Sequence, residues 1–149
     1  MQHRRRPTCV LPALILVIAM TTSMAQTPSN PTSSSAERLA ILAAARAPVV
    51  QDLGKPIEFR VNQLNVLDGS AFLHATMLDI GGAPLSYAGT HYEGAAAHGM
   101  KSRGYAALLR ESQGQWSVVA YVVGPTDVAW ESWGKQYRVP ETLFVLTSP

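Results

Sequence analysis

Cysteine is almost absent from this chain: Cys9 is the single one among 149 residues. It lies in an N-terminal segment that has the pattern of a cleaved export signal, so the mature chain would contain no cysteine. A chain without cysteine has no disulfides, no thiolate nucleophile and no sulfur ligand for a metal. Its stability must come from packing and hydrogen bonds, and thiol chemistry is excluded.

Long apolar runs are also missing. The run "CVLPALILVIAM", Cys9 to Met20, has about a dozen residues, and a membrane-spanning helix needs ~20. Three arginines precede it, and Ser23-Met24-Ala25 follows with the small residues that signal peptidase accepts. This pattern predicts a signal peptide over residues 1–25, cleaved after Ala25, and a periplasmic or secreted protein without a membrane anchor. An uncleaved N-terminal anchor is the alternative.

An excess of positive charge is missing from the mature chain as well. The whole chain carries 12 Lys and Arg against 10 Asp and Glu, and Arg4, Arg5 and Arg6 belong to the predicted signal peptide, which leaves nine against ten, a net charge of −1. This balance does not favour nucleic acid as a partner. The chain has no phosphate-binding loop, no dinucleotide fingerprint and no G-x-S-x-G elbow, so we predict no cofactor and find little support for a serine hydrolase.

The mature chain has the length of one domain. Residues 26–35, "QTPSNPTSSS", offer no apolar side chain to a core, and we predict a disordered tether there. Residues 36–149 are predicted to form a single α+β domain. A capping box, Ser34-x-x-Glu37, begins a helical run that stops at Gly54, and Pro48 should kink or divide that helix.

Two β-hairpins are predicted after the helix. The first has a bulge near Asn62-Gln63 and a tight turn at Asp68-Gly69, and the second turns at residues 112–114. Its last strand, residues 116–123, is apolar on both faces, which is typical of a central strand or of one covered on both sides. Trp116, Val118, Ala120 and Val122 are assigned to one of those faces. The whole pattern predicts an N-terminal helix packed on a four-stranded antiparallel sheet, with a short C-terminal helix.

Between the hairpins, residues 81–100 have no sustained period, and connections of this length are usually functional or mobile. After the second hairpin comes the motif "GPTDVAWESW", Gly124 to Trp133. Pro125 and Asp127 suit the first turn of a helix, and Trp130 and Trp133 would share one helical face. We interpret this motif as the start of a packed helix. The alternative is an acid and aromatic rings around a pocket for a sugar or a peptide.

The residues "GQWSVVAYVVGPTDVAWESW", together with "YAALLRE" and "ILAAARAPVVQDLGKPIEF", resemble a group of small exported proteins from Gram-negative bacteria. The shared pattern runs leucine-leucine-arginine, G-x-W-x-V-V and G-x-T-D-V, followed by aromatic residues. The resemblance implies export and supplies no catalytic residue. The element order is also similar to cystatin-like and nuclear-transport-factor-like folds, which host binders, inhibitors and enzymes alike.

Few residues are candidates for chemistry. His74, in the second strand, could act as a base if Asp79 or Asp127 approached its ring. His91, Glu93 and His98 are the candidate metal ligands, but their spacing matches no established motif, so we predict a solvated polar loop and no metal site there. Tyr87, Tyr92, Trp130 and Trp133 are the candidate ligand-binding residues.

Two classes of function stay open. The first is a non-enzymatic interaction or ligand-binding module that uses the concave sheet face and residues 81–100, with an envelope protein or a small ligand as partner. The second is a small hydrolase or isomerase that uses His74 with an acidic partner. The missing catalytic constellation favours the binding module.

Overall fold

Residues 26–147 of the computed structural model are described here, and the predicted signal peptide lies outside them. The chain is α+β, with a four-stranded antiparallel sheet and helices, as the sequence predicts. In chain order the elements are α1 Ala36–Leu53, β1 Glu58–Leu67, β2 Ser70–Leu78, α2 Glu93–Ala97, β3 Gly104–Ser112, β4 Gln115–Val123 and α3 Trp133–Tyr137, with a 3-10 turn at Glu141–Phe144. No helix within these residues combines the length and the apolar character of a membrane span.

Helix α1 is capped at both ends. The Ser35 hydroxyl accepts a hydrogen bond from the backbone N–H of Arg38 at 3.2 Å, and Gly54, with φ of 68°, donates to the Val50 carbonyl at 2.9 Å. The expected division at Pro48 is wrong, because the helix runs unbroken through that residue. Proline removes only one internal hydrogen bond, and buried side chains on both sides of it hold the helix together: Ile41, Ala45, Val49 and Leu53.

The sheet is a simple meander in the order β1-β2-β3-β4. The first hairpin turns at Asp68 and Gly69, both with positive φ, and β1 has a register shift between Val61 and Gln63, so both predictions for this hairpin are confirmed. The second hairpin turns through two residues, Gln113 and Gly114, one fewer than predicted.

Strand β4 is an edge strand, so the first alternative, a central strand, is wrong. The second alternative, a strand covered on both sides, agrees with the structure, because side chains of β4 pack against both apolar clusters. Its pairing with β3 skips Val119, because Val118 lies opposite Leu109 and Ala120 lies opposite Leu108. A bulged residue reverses the alternation of side chains, so the assignment of faces from the sequence is wrong as well. An apolar strand with apolar neighbours carries no polar residue that would reveal such a bulge.

Two apolar clusters lie on the two faces of the sheet. The first contains the buried side chains of α1 and the aromatic ring of Tyr105, whose hydroxyl donates to the Ala45 carbonyl at 2.8 Å. The second contains side chains from the C-terminal segment with residues from the centre of the sheet: Leu67, Phe72, Ala106, Leu108, Trp130, Trp133, Val139 and Leu143.

The motif that follows β4 does not begin a helix at Pro125. Residues 125–132 are irregular, and the helix begins at Trp133. The Ser102 hydroxyl donates to the Pro125 carbonyl at 2.5 Å, which holds this carbonyl in a bond outside any helix. Asp127 is therefore an exposed residue of an irregular segment and satisfies no helix N–H groups.

Part of the segment predicted as a disordered tether pairs with the sheet. Ser29 and Val66 exchange two backbone hydrogen bonds of 2.8 Å. Arg38 of α1 also donates to the Asn30 side chain at 3.4 Å and to the Pro31 carbonyl at 3.3 Å. The amino-acid composition of residues 26–35 did not indicate this pairing, because the pairing uses backbone groups only. The free edge of β1 presents N–H and C=O groups that can bind any extended segment.

Candidate binding site

The connection from β2 to β3, residues 79–103, is fixed at both ends by charged side chains. The Lys55 ammonium lies 2.6 Å from Asp79 Oδ1 and donates to the Ser86 carbonyl at 2.7 Å. The Ser86 backbone N–H donates to Asp79 Oδ2 at 3.0 Å, and the Arg103 guanidinium donates to the Leu85 carbonyl at 2.9 Å. The hydrogen bond from Lys55 holds the pKa of Asp79 below its ordinary value. Asp79 is thus a structural anchor of the loop.

Tyr87 is buried where the loop passes the end of β4. Its hydroxyl donates to the Ser102 carbonyl at 2.5 Å, and burial raises its pKa to about 12. A Cβ atom built at Gly124 would lie 2.6 Å from that hydroxyl and 2.8 Å from the Ser102 carbonyl. Tyr87 therefore packs directly against the backbone of Gly124, and its role is structural.

Tyr92 fastens the loop to the last turn of α1. Its hydroxyl donates to Asp52 Oδ2 at 2.7 Å, the His91 ring lies 3.9 Å from its ring, and the Lys101 ammonium lies 4.1 Å from its ring centre. Burial and the hydrogen bond to Asp52 raise the pKa of Tyr92, because both disfavour the phenolate. Lys101 also donates to the backbone carbonyl of Val123 at 2.8 Å, which ties the same site to β4.

Two side chains of this site remain open to solvent. The His91 side chain is 56% exposed, and its Nε2 lies 3.6 Å from Asp52 Oδ1, beyond hydrogen-bond distance. Tyr121 on β4 is 39% exposed, and its phenol contributes to the raised pKa of Tyr92. We call Asp52, His91, Tyr92, Lys101 and Tyr121 the loop–helix site.

The candidate base lies elsewhere. His74 is half-buried, with its ring 5.3 Å from that of Trp130, and burial lowers its pKa. Within residues 26–147, no hydrogen bond or ion pair joins His74 to an acid, since Asp79 is held by Lys55 and Asp127 is exposed. The structure therefore does not bring the three predicted catalytic residues together.

The three candidate metal ligands are separated by their partners. The Glu93 carboxylate accepts from the Gly89 N–H at 3.0 Å, and His98 Nδ1 bonds to the Gly94 carbonyl at 2.7 Å, whereas His91 faces Asp52. In the described part of the chain, no group of three His, Cys, Asp or Glu side chains is placed to hold a metal ion.

The four aromatic candidate residues lie in two separate parts of the molecule. Tyr87 and Tyr92 meet in the loop, with ring centroids 6.0 Å apart, whereas Trp130 and Trp133 are 6% and 7% exposed in the cluster on the other sheet face. Both tryptophans pack as the structural interpretation of their motif predicts.

Sequence reasoning missed three members of the loop–helix site: Asp52, Lys101 and Tyr121. A signal for Asp52 was present, because a carboxylate in the last turn of a helix is disfavoured by the helix dipole and needs another reason to be there. Tyr121 had no such signal, since the bulge at Val119 decides which face it occupies.

Comparison of the chain with protein-family models, with curated proteins and with solved structures finds no match in any of the three.

Proposed function

We propose that this chain is an exported, non-enzymatic interaction or ligand-binding module, and that its recognition surface is the loop–helix site. The partner is a small ligand or a protein of the cell envelope. The pattern of residues 1–25 and the resemblance of the mature sequence to small exported proteins support export.

One observation carries this proposal: the connection between β2 and β3 is tied to α1 by the Tyr92–Asp52 hydrogen bond, while two neighbouring side chains, His91 on this connection and Tyr121 on β4, stay exposed. The Tyr92–Asp52 hydrogen bond and the Lys101 contacts fix the loop. Forming them lowers the conformational entropy of several side chains. Within residues 26–147, the side chains of His91 and Tyr121 make no hydrogen bond. An exposed imidazole and phenol on an ordered surface are common recognition groups, because each combines an aromatic face with a hydrogen-bonding edge.

In this proposal, α1 packs on one sheet face as a permanent cover, and its C-terminal turn supports the loop. The short C-terminal helix closes the opposite face and takes no part in binding at the loop–helix site. The separation keeps the ligand surface on one side of the molecule.

Thermal unfolding of the exported chain tests the proposal. We would measure the melting temperature alone and with zinc, copper, peptidoglycan fragments and a panel of periplasmic small molecules. A ligand at the loop–helix site raises the melting temperature, and the stabilisation grows with the logarithm of its concentration divided by its dissociation constant. The shift should disappear in His91→Ala or Tyr121→Ala, and it should persist in His98→Ala, an exposed histidine of the same loop.

For a protein partner, a photocrosslinking residue replaces His91 and, as the matched control, His98. A defined adduct from position 91 and none from position 98 is the expected result. The absence of any thermal shift, together with equal crosslinking from the two positions, would rule out the loop–helix site. The N-terminus of the purified chain, expected at Gln26, tests export separately.

A further inference from the structure

The motif at residues 124–133 has an exposed part that the packing of its tryptophans does not explain. Trp130 and Trp133 are buried in the second apolar cluster, whereas Val128 is 57% exposed. A cavity of about 640 Å³ lies at this exposed part, and its lining includes residues of the motif, of α3 and of the turn that follows: Val128, Ala129, Glu131, Ser132, Lys135 and Glu141. Pockets that hold small molecules commonly measure roughly 300–1,000 Å³. We call this space the C-terminal cavity.

The C-terminal cavity carries opposite charges that do not pair with each other. Glu131, Lys135 and Glu141 belong to its lining, so two carboxylates and one ammonium give it a net charge of −1 at neutral pH. In the part of the chain that the structure describes, no ion pair involves any of these three residues. All three are exposed, so their charged groups are accessible to a molecule that enters the cavity from solvent.

The carboxylate of Glu141 is seated by a glycine. A methyl group at Gly134 would overlap the carboxyl group of Glu141, so the carboxylate lies against the backbone of α3 in the space that a side chain at position 134 would fill. Glycine is unfavourable within a helix, and here its small size leaves room for this carboxylate. The position of one negative charge at the cavity is thus set by the packing of Glu141 on α3.

We propose that the C-terminal cavity binds a small aliphatic molecule with two ammonium groups and one carboxylate, the charge pattern of a basic amino acid. Such a ligand complements the lining in number and sign of charges. Glu131 and Glu141 accept hydrogen bonds from its ammonium groups, and Lys135 donates to its carboxylate. Its methylene chain lies on the apolar wall of Val128 and Ala129. This inference extends the proposed binding function to a second site, which shares no residue with the loop–helix site.

Calorimetric titration of the exported chain with L-lysine and two analogues tests the charge pattern. Norleucine lacks the side-chain ammonium of lysine, and cadaverine lacks the carboxylate. Each analogue should bind about tenfold more weakly than lysine, the equivalent of one lost charge-assisted hydrogen bond. L-lysyl-L-alanine carries the same three charges on a dipeptide. Binding of this dipeptide without binding of free lysine would identify the end of a short peptide as the occupant, and binding of both would identify the amino acid itself.

Variants of the lining assign the contacts. Glu141→Gln should weaken lysine binding about tenfold. In Lys135→Met the preference for lysine over cadaverine should vanish, because the partner of the ligand carboxylate is lost. Gly134→Ala keeps every charge and displaces the Glu141 carboxylate, so it should also weaken lysine binding. Glu111→Gln is the matched control, because Glu111 is an exposed carboxylate on β3 outside the cavity, and it should leave the affinity unchanged.

Three outcomes would overturn the proposal: equal affinity for lysine and norleucine, equal losses in Glu141→Gln and Glu111→Gln, or no binding of either lysine or the dipeptide. The melting temperature of each unliganded variant checks that it is folded. The His91 and Tyr121 variants decide the loop–helix site independently, so failure at the C-terminal cavity leaves that test intact.

Discussion

The two faces of the sheet use aromatic residues in different ways. On the helix side, the hydroxyls of Tyr87, Tyr92 and Tyr105 are tied to a carbonyl or a carboxylate, and Tyr121 stays partly exposed. On the other side, Trp130 and Trp133 lie ring against ring with their neighbours, Trp130 at 5.6 Å from Phe72 and Trp133 at 6.5 Å from Tyr137. Tyr87 and Tyr105 are buried and their hydroxyls have hydrogen-bond partners, so on the helix side, the tyrosine face, only Tyr92 and Tyr121 among the tyrosines combine an aromatic ring with contact to solvent, whereas the tryptophans on the other side, the tryptophan face, are buried by packing alone.

The exposure and the hydrogen bonds of an aromatic side chain distinguish a binding role from a packing role better than the number of aromatic residues on a face does. An aromatic side chain that closes a core loses its exposed area, and its contribution is then measured in stability. A side chain that is held in place by a polar partner and still meets solvent contributes little to stability and remains available to a ligand. Substitution of an exposed side chain such as Tyr121 and substitution of a buried tryptophan should therefore give opposite results in stability and in binding.

The largest expected effect is on the tryptophan face. Trp130→Ala should lower the free energy of unfolding by about 3–5 kcal/mol, the usual cost of deleting a buried aromatic side chain. Urea unfolding measures it, and Trp130→Phe, which keeps part of the ring volume, should cost less than half as much. Ligand binding at the loop–helix site should not change in Trp130→Phe. A loss of binding there would show that the tryptophan face also takes part in recognition.

The second largest effect is expected at Gly124, where the backbone lies close to the Tyr87 side chain on the tyrosine face. Gly124→Ala should destabilise the chain by about 3 kcal/mol, because the backbone has φ of 63° and the new methyl group would overlap Tyr87, Ser102 and Lys101. Gly89→Ala is the control, since Gly89 has a similar φ of 76° with open space around it, and it should cost about 1 kcal/mol. Equal costs at the two glycines would mean that the contact with Tyr87 is not tight.

A smaller effect is expected where the loop meets the helix. Tyr92→Phe removes the hydrogen bond to Asp52 and should cost about 1 kcal/mol, less than for a fully buried charged bond because the site is partly open to water. Tyr137→Phe removes an exposed hydroxyl that Gln136 contacts at 3.3 Å and should be neutral in the same urea titration. Amide hydrogen exchange should quicken over residues 85–98 in Tyr92→Phe alone, which separates loosening of the loop from global destabilisation.

The sequence predicted the first hairpin well because its signals are local. Asp68-Gly69 fixes a turn through its backbone preferences, and the alternation broken near Asn62-Gln63 marks a bulge within a few residues. The bulge at Val119 was hidden because both faces of β4 are apolar, so a shift of one residue leaves the pattern unchanged. The register of a strand can be predicted from the sequence where polar and apolar residues alternate along it.

The candidate site was harder to predict because its members come from distant parts of the chain. Asp52 and Tyr92 are forty residues apart and meet only after the loop crosses the end of the sheet. Tyr92 was named as a ligand-binding candidate, yet its hydroxyl and its ring are largely engaged within the protein, and the exposed groups are His91 and Tyr121. The residue types in the loop suggested that it is a binding site. Only the tertiary contacts show which of its residues anchor the loop and which are exposed to a ligand.

The smallest expected effect concerns pH and the tryptophan face. Burial beside Trp130 lowers the pKa of His74 below its ordinary value of 6.5, so the folded chain binds this proton less readily than the unfolded chain does. Above pH 6.5, His74 is neutral in both the folded and the unfolded chain, and its titration does not affect the free energy of unfolding. As the pH falls below 6.5, the unfolded chain binds the proton first, so the free energy of unfolding decreases. Between pH 7 and pH 5 the free energy of unfolding should decline, and His74→Gln should flatten that decline. An unchanged slope in His74→Gln would mean that this ring is hydrated in the folded protein.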